Sequence, residues 1–193
     1  MRKLIVLGLC VLCVSCASHR QNRNDEFSDT SIAYQNGSAA EFYEQGNRYA
    51  QGKGVAKNYA IAAQYYRRAA DMGHSNAQDK LGVRYMLGQG VPQDLTTARY
   101  WFEKAAAQGN PYAENELGYM YTAGKGVPQD YAMALQWYQK ASDHGLPSAQ
   151  YNLGLMYANG IGTPVDKEKA KALFRLAASR GFSPARKALA QQG

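Results

Sequence analysis

Apolar positions along this chain fall into two alternating helical stripes. Ala113, Leu117 and Tyr121 recur at i, i+4 and i+8, and after a glycine-rich gap Ala134, Trp137, Tyr138 and Ala141 form a second stripe. Each stripe predicts an amphipathic helix with one buried face, and together they predict a helical pair. The pair recurs. Gly46, Gly82, Gly118 and Gly154 are spaced 36 residues apart, as are Tyr49, Tyr85, Tyr121 and Tyr157, and Ala62, Ala98, Ala134 and Ala170. Gly73, Gly109, Gly145 and Gly181 close the units. A fixed period of this length marks stacked supersecondary units that bury their apolar faces against one another. The expected fold is all-α, with repeats over residues 38–73, 74–109, 110–145 and 146–181. A capping helix is expected within 182–193, where Ala185 and Leu189 continue the register.

Turn and cap chemistry agrees with this reading. Gly52/Gly54, Gly88/Gly90, Gly124/Gly126 and Gly160/Gly162 can supply positive φ at the end of each first helix and through the turn. Asn58, Asp94, Asp130 and Asp166 stand where the second helix needs an N-cap. Ser38-x-x-Glu41 and Ser75-x-x-Gln78 read as capping boxes. Asn110-Pro111 and Ser183-Pro184 read as an N-cap followed by proline at the first helical position. A helix loses about 1 kcal/mol when Gly replaces Ala, so Gly118 within a helix predicts close approach of a partner.

These residues resemble the Sel1-like repeats, relatives of tetratricopeptide repeats. The second unit carries the pattern as Ala77, Leu81-Gly82, Tyr85, Gly88-Gln89-Gly90-Val91, Asp94, Ala98, Trp101-Phe102, Lys104-Ala105-Ala106 and Gly109. The first unit departs, with Glu41 and Gln45 where Ala and Leu are expected, as a polar terminal cap would. The resemblance implies a right-handed α-solenoid of four repeats that binds other proteins and is not an enzyme.

The N-terminus reads differently. Met1-Arg2-Lys3 precedes an apolar run from Leu4 to Val14, shorter than the roughly 20 residues a membrane-spanning helix needs. Residues 1–15 are therefore expected to be an export signal. Cys13-Val14-Ser15-Cys16-Ala17-Ser18 resembles a bacterial lipobox. That resemblance implies acylation of Cys16 as the lipid attachment residue and removal of Cys10 and Cys13. With Ala at 17, it further implies an outer-membrane anchor, and the repeats are expected to face the periplasm. Several acyl chains make such attachment permanent, since each buried CH₂ contributes about 0.8 kcal/mol. The polar stretch 16–37 reads as a tether, with Phe27, Ile32 and Tyr34 able to dock on the first unit.

Composition narrows the chemistry. The chain has 193 residues, 22 basic and 15 acidic, with a net charge of +7. Residues 38–193 hold 18 basic and 12 acidic side chains. The last stretch concentrates Lys167, Lys169, Lys171, Arg175, Arg180, Arg186 and Lys187, a field that would draw an acidic partner. Export argues against nucleic acid. With cysteines only at 10, 13 and 16, neither a disulfide scaffold nor a cysteine zinc site is expected. His19, His74 and His144 lack metal spacing and are expected on the surface or in loops. The Gly-x-Gly pairs follow helices, whereas a phosphate loop follows a strand. Glu114/Glu116 and Asp166/Glu168, two apart on helices, are expected on solvated faces. No catalytic residue, metal or cofactor is expected.

Partner contacts are expected at non-core positions of the first helices, three before and one after the recurring glycine. These are Tyr43, Asp79, Asn115, Tyr119, Tyr151 and Leu155; aromatic side chains outside a core are the usual interface anchors. The expected function is a lipid-anchored envelope scaffold or adaptor. The resemblance implies a narrower role, since some lipid-anchored Sel1-like proteins are immunity proteins against toxin effectors delivered to the periplasm by type VI secretion. Alternatives are a scaffold in envelope or exopolysaccharide assembly, or a factor in host contact. β-Lactam binding or hydrolysis belongs to the cysteine-rich Helicobacter branch, which has a disulfide in every repeat; this chain has no cysteine after 16.

Overall fold

A computed structural model describes residues 36–191. The expected export signal, Cys16 and the tether through residue 35 lie outside the described residues. Within them, the 36-residue period becomes four helical hairpins: α1 (Ala39–Gln51) with α2 (Tyr59–Asp71), α3 (Ser75–Leu87) with α4 (Leu95–Ala106), α5 (Pro111–Ala123) with α6 (Tyr131–Asp143), and α7 (Pro147–Asn159) with α8 (Lys167–Ser179). α9 (Ser183–Ala190) follows without a second helix. No strand occurs among the described residues. Each helix packs against the one before and the one after it, which gives an α-solenoid.

Local chemistry sets most helix ends. The Ser38 hydroxyl accepts the Glu41 amide at 3.2 Å while the Glu41 carboxylate accepts the Ser38 amide at 2.7 Å, a reciprocal cap on α1. Asn58, Asp94, Asp130 and Asp166 cap the second helices. Two expected caps differ. α3 is capped by His74, whose Nδ1 accepts the Ala77 amide at 3.2 Å, and Ser75 is its first helical residue. α9 begins after Phe182, which makes no side-chain cap, so Ser183 is likewise inside the helix. The repeat explains both shifts. N-caps at 74, 110, 146 and 182 keep the 36-residue register, and packing of whole units overrides a local serine preference.

Four apolar clusters run along the array. In each hairpin a ring from the second helix lies on the glycine of the first. A β-carbon added at Gly82 would sit 2.7 Å from Cε1 of Phe102, and one at Gly154 would sit 2.6 Å from Cε1 of Phe174. Ala62, Ala98, Ala134 and Ala170 are fully buried around this contact. The loops join neighbouring units. A β-carbon at Gly126 would sit 2.8 Å from Cβ of Leu95, and one at Gly162 would sit 2.6 Å from Cβ of Tyr131. The second loop glycine thus lets each unit rest on the start of the previous unit's second helix. The polar first unit behaves as a cap: α1 buries only Phe42 and Gly46 completely.

Candidate functional site

The six residues expected to meet a partner lie on the first helices of the four units, and the structure gives them different roles. Tyr119 on α5 is exposed, and its hydroxyl accepts a hydrogen bond from Lys125 Nζ at 2.7 Å. Tyr43 is half-buried, stacked on His74 with centroids 4.6 Å apart and tilted against Tyr66 at 6.0 Å. Asn115 accepts from Asn152 Nδ2 at 3.0 Å, which ties α5 to α7. Tyr151 is wedged between Phe174 and Phe182, at 5.6 and 5.5 Å, so it supports the seat of α9 as well as lining the surface. Leu155 lies half-buried beside it.

Asp79 departs from expectation. It is only 2% exposed, so it is not an outward-facing polar contact. One carboxylate oxygen holds Lys80 Nζ at 3.0 Å and the other has no hydrogen-bond partner. Burial raises its pKa and the Lys80 charge pulls it back. The position turns inward because α3 packs in the angle between two units, where the charge of Asp79 reaches Glu116 of α5.

Glu114 is not on a solvated face, and Glu116 is only partly so. Glu114 is 2% exposed and its carboxylate meets His144 Nδ1 at 2.8 Å. The period accounts for the burial, because 78, 114 and 150 are equivalent positions and all three are buried. Gln78 and Gln150 donate there to the carbonyls of Ala70 and Ser142, at 3.1 and 3.4 Å. Glutamate has no N–H to donate, and at 114 it is met by a histidine. Glu116 is half-buried, with its pKa raised first by burial and then by the charge of Asp79.

One part of the surface was absent from the sequence reading. Tyr112 is 54% exposed and lies one turn before Glu116, as Tyr119 lies one turn after it. The three residues form a stripe at i, i+4 and i+7 on α5, a spacing visible in the sequence. Further along, a cleft of about 560 Å³ opens between α7 and α9, lined by Tyr151, Leu155, Ala158, Phe174, Lys187 and Ala188 among others. Ala188 occupies the register position of Glu116 and Asn152, and its small side chain leaves this space open.

The arrangement suits binding through aromatic and apolar contacts beside fixed charges. Among the described residues, no group of three or more His, Cys, Asp or Glu could hold a metal ion. No described helix is long and apolar enough to cross a membrane.

Solved structures similar to this chain include a Sel1 repeat protein from Oxalobacter formigenes, 37% identical over 79% of this chain and 63% of that one, with a TM-score of 0.70. This chain thus spans less than two thirds of that protein's length. A sel1 repeat protein from Klebsiella pneumoniae subsp. pneumoniae shares the fold at 20% identity, covering 84% of this chain and 81% of that one, with a TM-score of 0.55. The immunity protein Pa5087 from Pseudomonas aeruginosa is 21% identical over 80% of this chain and 71% of that one, with a TM-score of 0.43, too distant a likeness to bear on function. No curated protein matches the chain. The Sel1 repeat family matches residues 33–74, 75–110, 111–146 and 147–182. With four consecutive units matched, each a helical pair closed by its glycine loop, the chain belongs to the Sel1 repeat family.

Proposed function

We propose that the chain is an adaptor of the bacterial envelope that binds one partner protein across the open side of α3, α5 and α7. The observation that carries this reading is the exposed Tyr112 and Tyr119 on one stripe of α5, leading toward the Tyr151–Leu155 cleft. Both rings are held on a rigid helix, so docking onto them loses little conformational entropy. Tyrosine in that setting is a frequent energetic anchor of interfaces. The lipobox-like stretch ending at Cys16 supports placement on the outer membrane, with the repeats in the periplasm. Within this reading the narrower role is an immunity protein that occupies a toxin effector delivered by type VI secretion.

Cross-linked capture from native envelopes tests the binding reading. The bait is the full chain, compared with Tyr112→Ala/Tyr119→Ala. Tyr151 stays intact because its loss would unseat α9 as well as change the surface. A single stoichiometric protein held by the natural chain and lost from the variant supports the proposal. A partner held equally by both moves the interface elsewhere. For the immunity role, the captured protein must be toxic when exported alone and harmless when this chain is co-expressed.

A further inference from the structure

We infer that the cleft between α7 and α9 seats an acidic segment of the partner protein, with apolar side chains in the cleft and a carboxylate on Lys187. The inference rests on the proposed docking surface, which leads to this cleft, and specifies the chemistry read there.

The cleft opens at a break in the repeat. Between α5 and α7, Asn152 Nδ2 donates to the side-chain oxygen of Asn115 at 3.0 Å. One period later the equivalent residues are Tyr151 and Ala188. Alanine has no group to offer the tyrosine hydroxyl, so that tie is missing between α7 and α9. The space left is about 560 Å³, within the range of about 300–1,000 Å³ of clefts that hold ligands. Tyr151, Leu155, Ala158 and Ala188 line it half-buried, while Ser183, Asn159 and Gln191 line it exposed. An apolar centre inside a polar rim is the anatomy of a protein interface.

Charge selects the occupant. Lys187 is the one charged residue lining the cleft, and no carboxylate lines it. The Lys187 side chain is exposed, and among the described residues its ammonium has no ion pair. One wall, α7, carries no charged residue at all. The surrounding field has the same sign as Lys187. Residues 147–191 hold seven basic and two acidic side chains, whereas residues 38–146 hold eleven and ten. The ion pairs of the described residues, Asp79–Lys80, Arg99–Glu103 and Glu114–His144, all lie in the earlier units. An acidic segment is therefore drawn to this end of the array, and a basic one is repelled from it.

The test is an NMR titration of the full chain at low salt with acetyl-Glu-Glu-Phe-Leu-Glu-Glu amide. Two control peptides replace every Glu by Lys, or Phe-Leu by Ser-Ser. Shifts are expected at residues 151–159 and 183–191 from the first peptide, with much weaker binding of both controls. Lys187→Glu turns an exposed attraction into a repulsion, so it is expected to weaken the acidic peptide by about tenfold and to favour the basic one. Ala188→Leu fills the cleft and is expected to remove binding, and the amide spectrum of each variant shows whether it is folded. No binding of the acidic peptide, or shifts centred on Lys167 and Lys171 of α8, would overturn the inference. Equal binding of either control, or an unchanged Lys187→Glu, would also overturn it. So would cleft shifts that follow chain concentration alone, which would assign the cleft to a second copy. If the captured partner is lost from Tyr112→Ala/Tyr119→Ala but kept by Lys187→Glu and Ala188→Leu, the docking surface stands and the cleft inference falls. The reverse pattern supports the cleft and moves the docking surface away from α5.

Discussion

The ring of Tyr138 lies over Gly118 so closely that a β-carbon at residue 118 would sit 2.7 Å from both Cδ1 and Cε1. The contact joins α5 to α6 and recurs in the other hairpins, where Gly46 faces Tyr66, Gly82 faces Phe102 and Gly154 faces Phe174. Burial pushes the Tyr138 phenol pKa up to about 12, so the ring packs as a neutral group.

Gly118→Ala therefore sets two effects against each other. The helix gains about 1 kcal/mol from alanine, while forcing an atom into a packed contact costs about 1–3 kcal/mol. The ring is clamped in the core, so overpacking is expected to win. Urea denaturation should show a net loss, and adding Tyr138→Leu should recover part of it through a coupling between the two sites. An increase in stability for Gly118→Ala alone would contradict the packing account.

The loops provide an internally controlled comparison. Gly54 and Gly126 have nearly the same backbone, φ +73 and +69. A β-carbon at Gly54 would meet only Arg48 Nη2, at 3.7 Å, whereas one at Gly126 would press on Leu95 Cβ at 2.8 Å. Alanine at either site pays the left-handed strain of about 1–2 kcal/mol. Only Gly126→Ala pays a further overpacking cost of about 1–3 kcal/mol. Equal midpoint shifts for the two variants would show that the loop glycines do not set the spacing between units.

These contacts mark how far the sequence carries. The period alone identified Gly118 as a close-approach glycine and placed Ala62, Ala98, Ala134 and Ala170 in the core, because each is repeated four times at a fixed step. It did not reveal that Gly126 rests on Leu95, since positive φ and close approach both select glycine. Ser75 and Ser183 were read as caps from local preference, and the repeat register moved both into the helix. Charge was harder. Glu114 looks like any surface glutamate until its equivalence to Gln78 and Gln150 marks it as a buried position. Helical angle alone puts Asp79 on the surface, because it omits the next unit, whose Tyr112 lies beside the lysine that pairs with Asp79.

The Glu114–His144 contact gives a third prediction. His144→Ala leaves a buried carboxylate without its partner, and an unsatisfied buried acceptor costs about 1–3 kcal/mol. Glu114→Gln with His144→Ala should be milder than His144→Ala alone, because a neutral amide is less costly to bury. The two midpoints in urea at neutral pH decide this, and a double variant less stable than His144→Ala would contradict it.

Glu116 predicts a pH dependence. Burial, and then the Asp79 charge, raise its pKa above the ordinary 4.5. Between that value and its raised folded pKa, the folded chain holds more protons than the unfolded one. The Glu116 contribution is thus fully present below pH 4.5 and lost as pH rises through the folded value. Glu116→Gln removes that loss, so it should be more stable than the natural chain at neutral pH and show a flatter profile through the window above 4.5.

Tyr112→Ala and Tyr119→Ala should each change stability by no more than about 0.5 kcal/mol, as exposed substitutions usually do. Larger losses would make these rings part of the packing and weaken their role as anchors.

The most direct measurement is site-specific photo-cross-linking in living cells, with a photoreactive aromatic residue placed once at position 119 and once at position 100. Both tyrosines are exposed, at 38% and 48%, but Tyr119 is on the first-helix stripe and Tyr100 on the second helix α4. The account predicts one adduct of defined mass from position 119 and none from position 100. Adducts from position 100 alone, or the same adducts from both, would contradict a partner seated on the open side of the first helices.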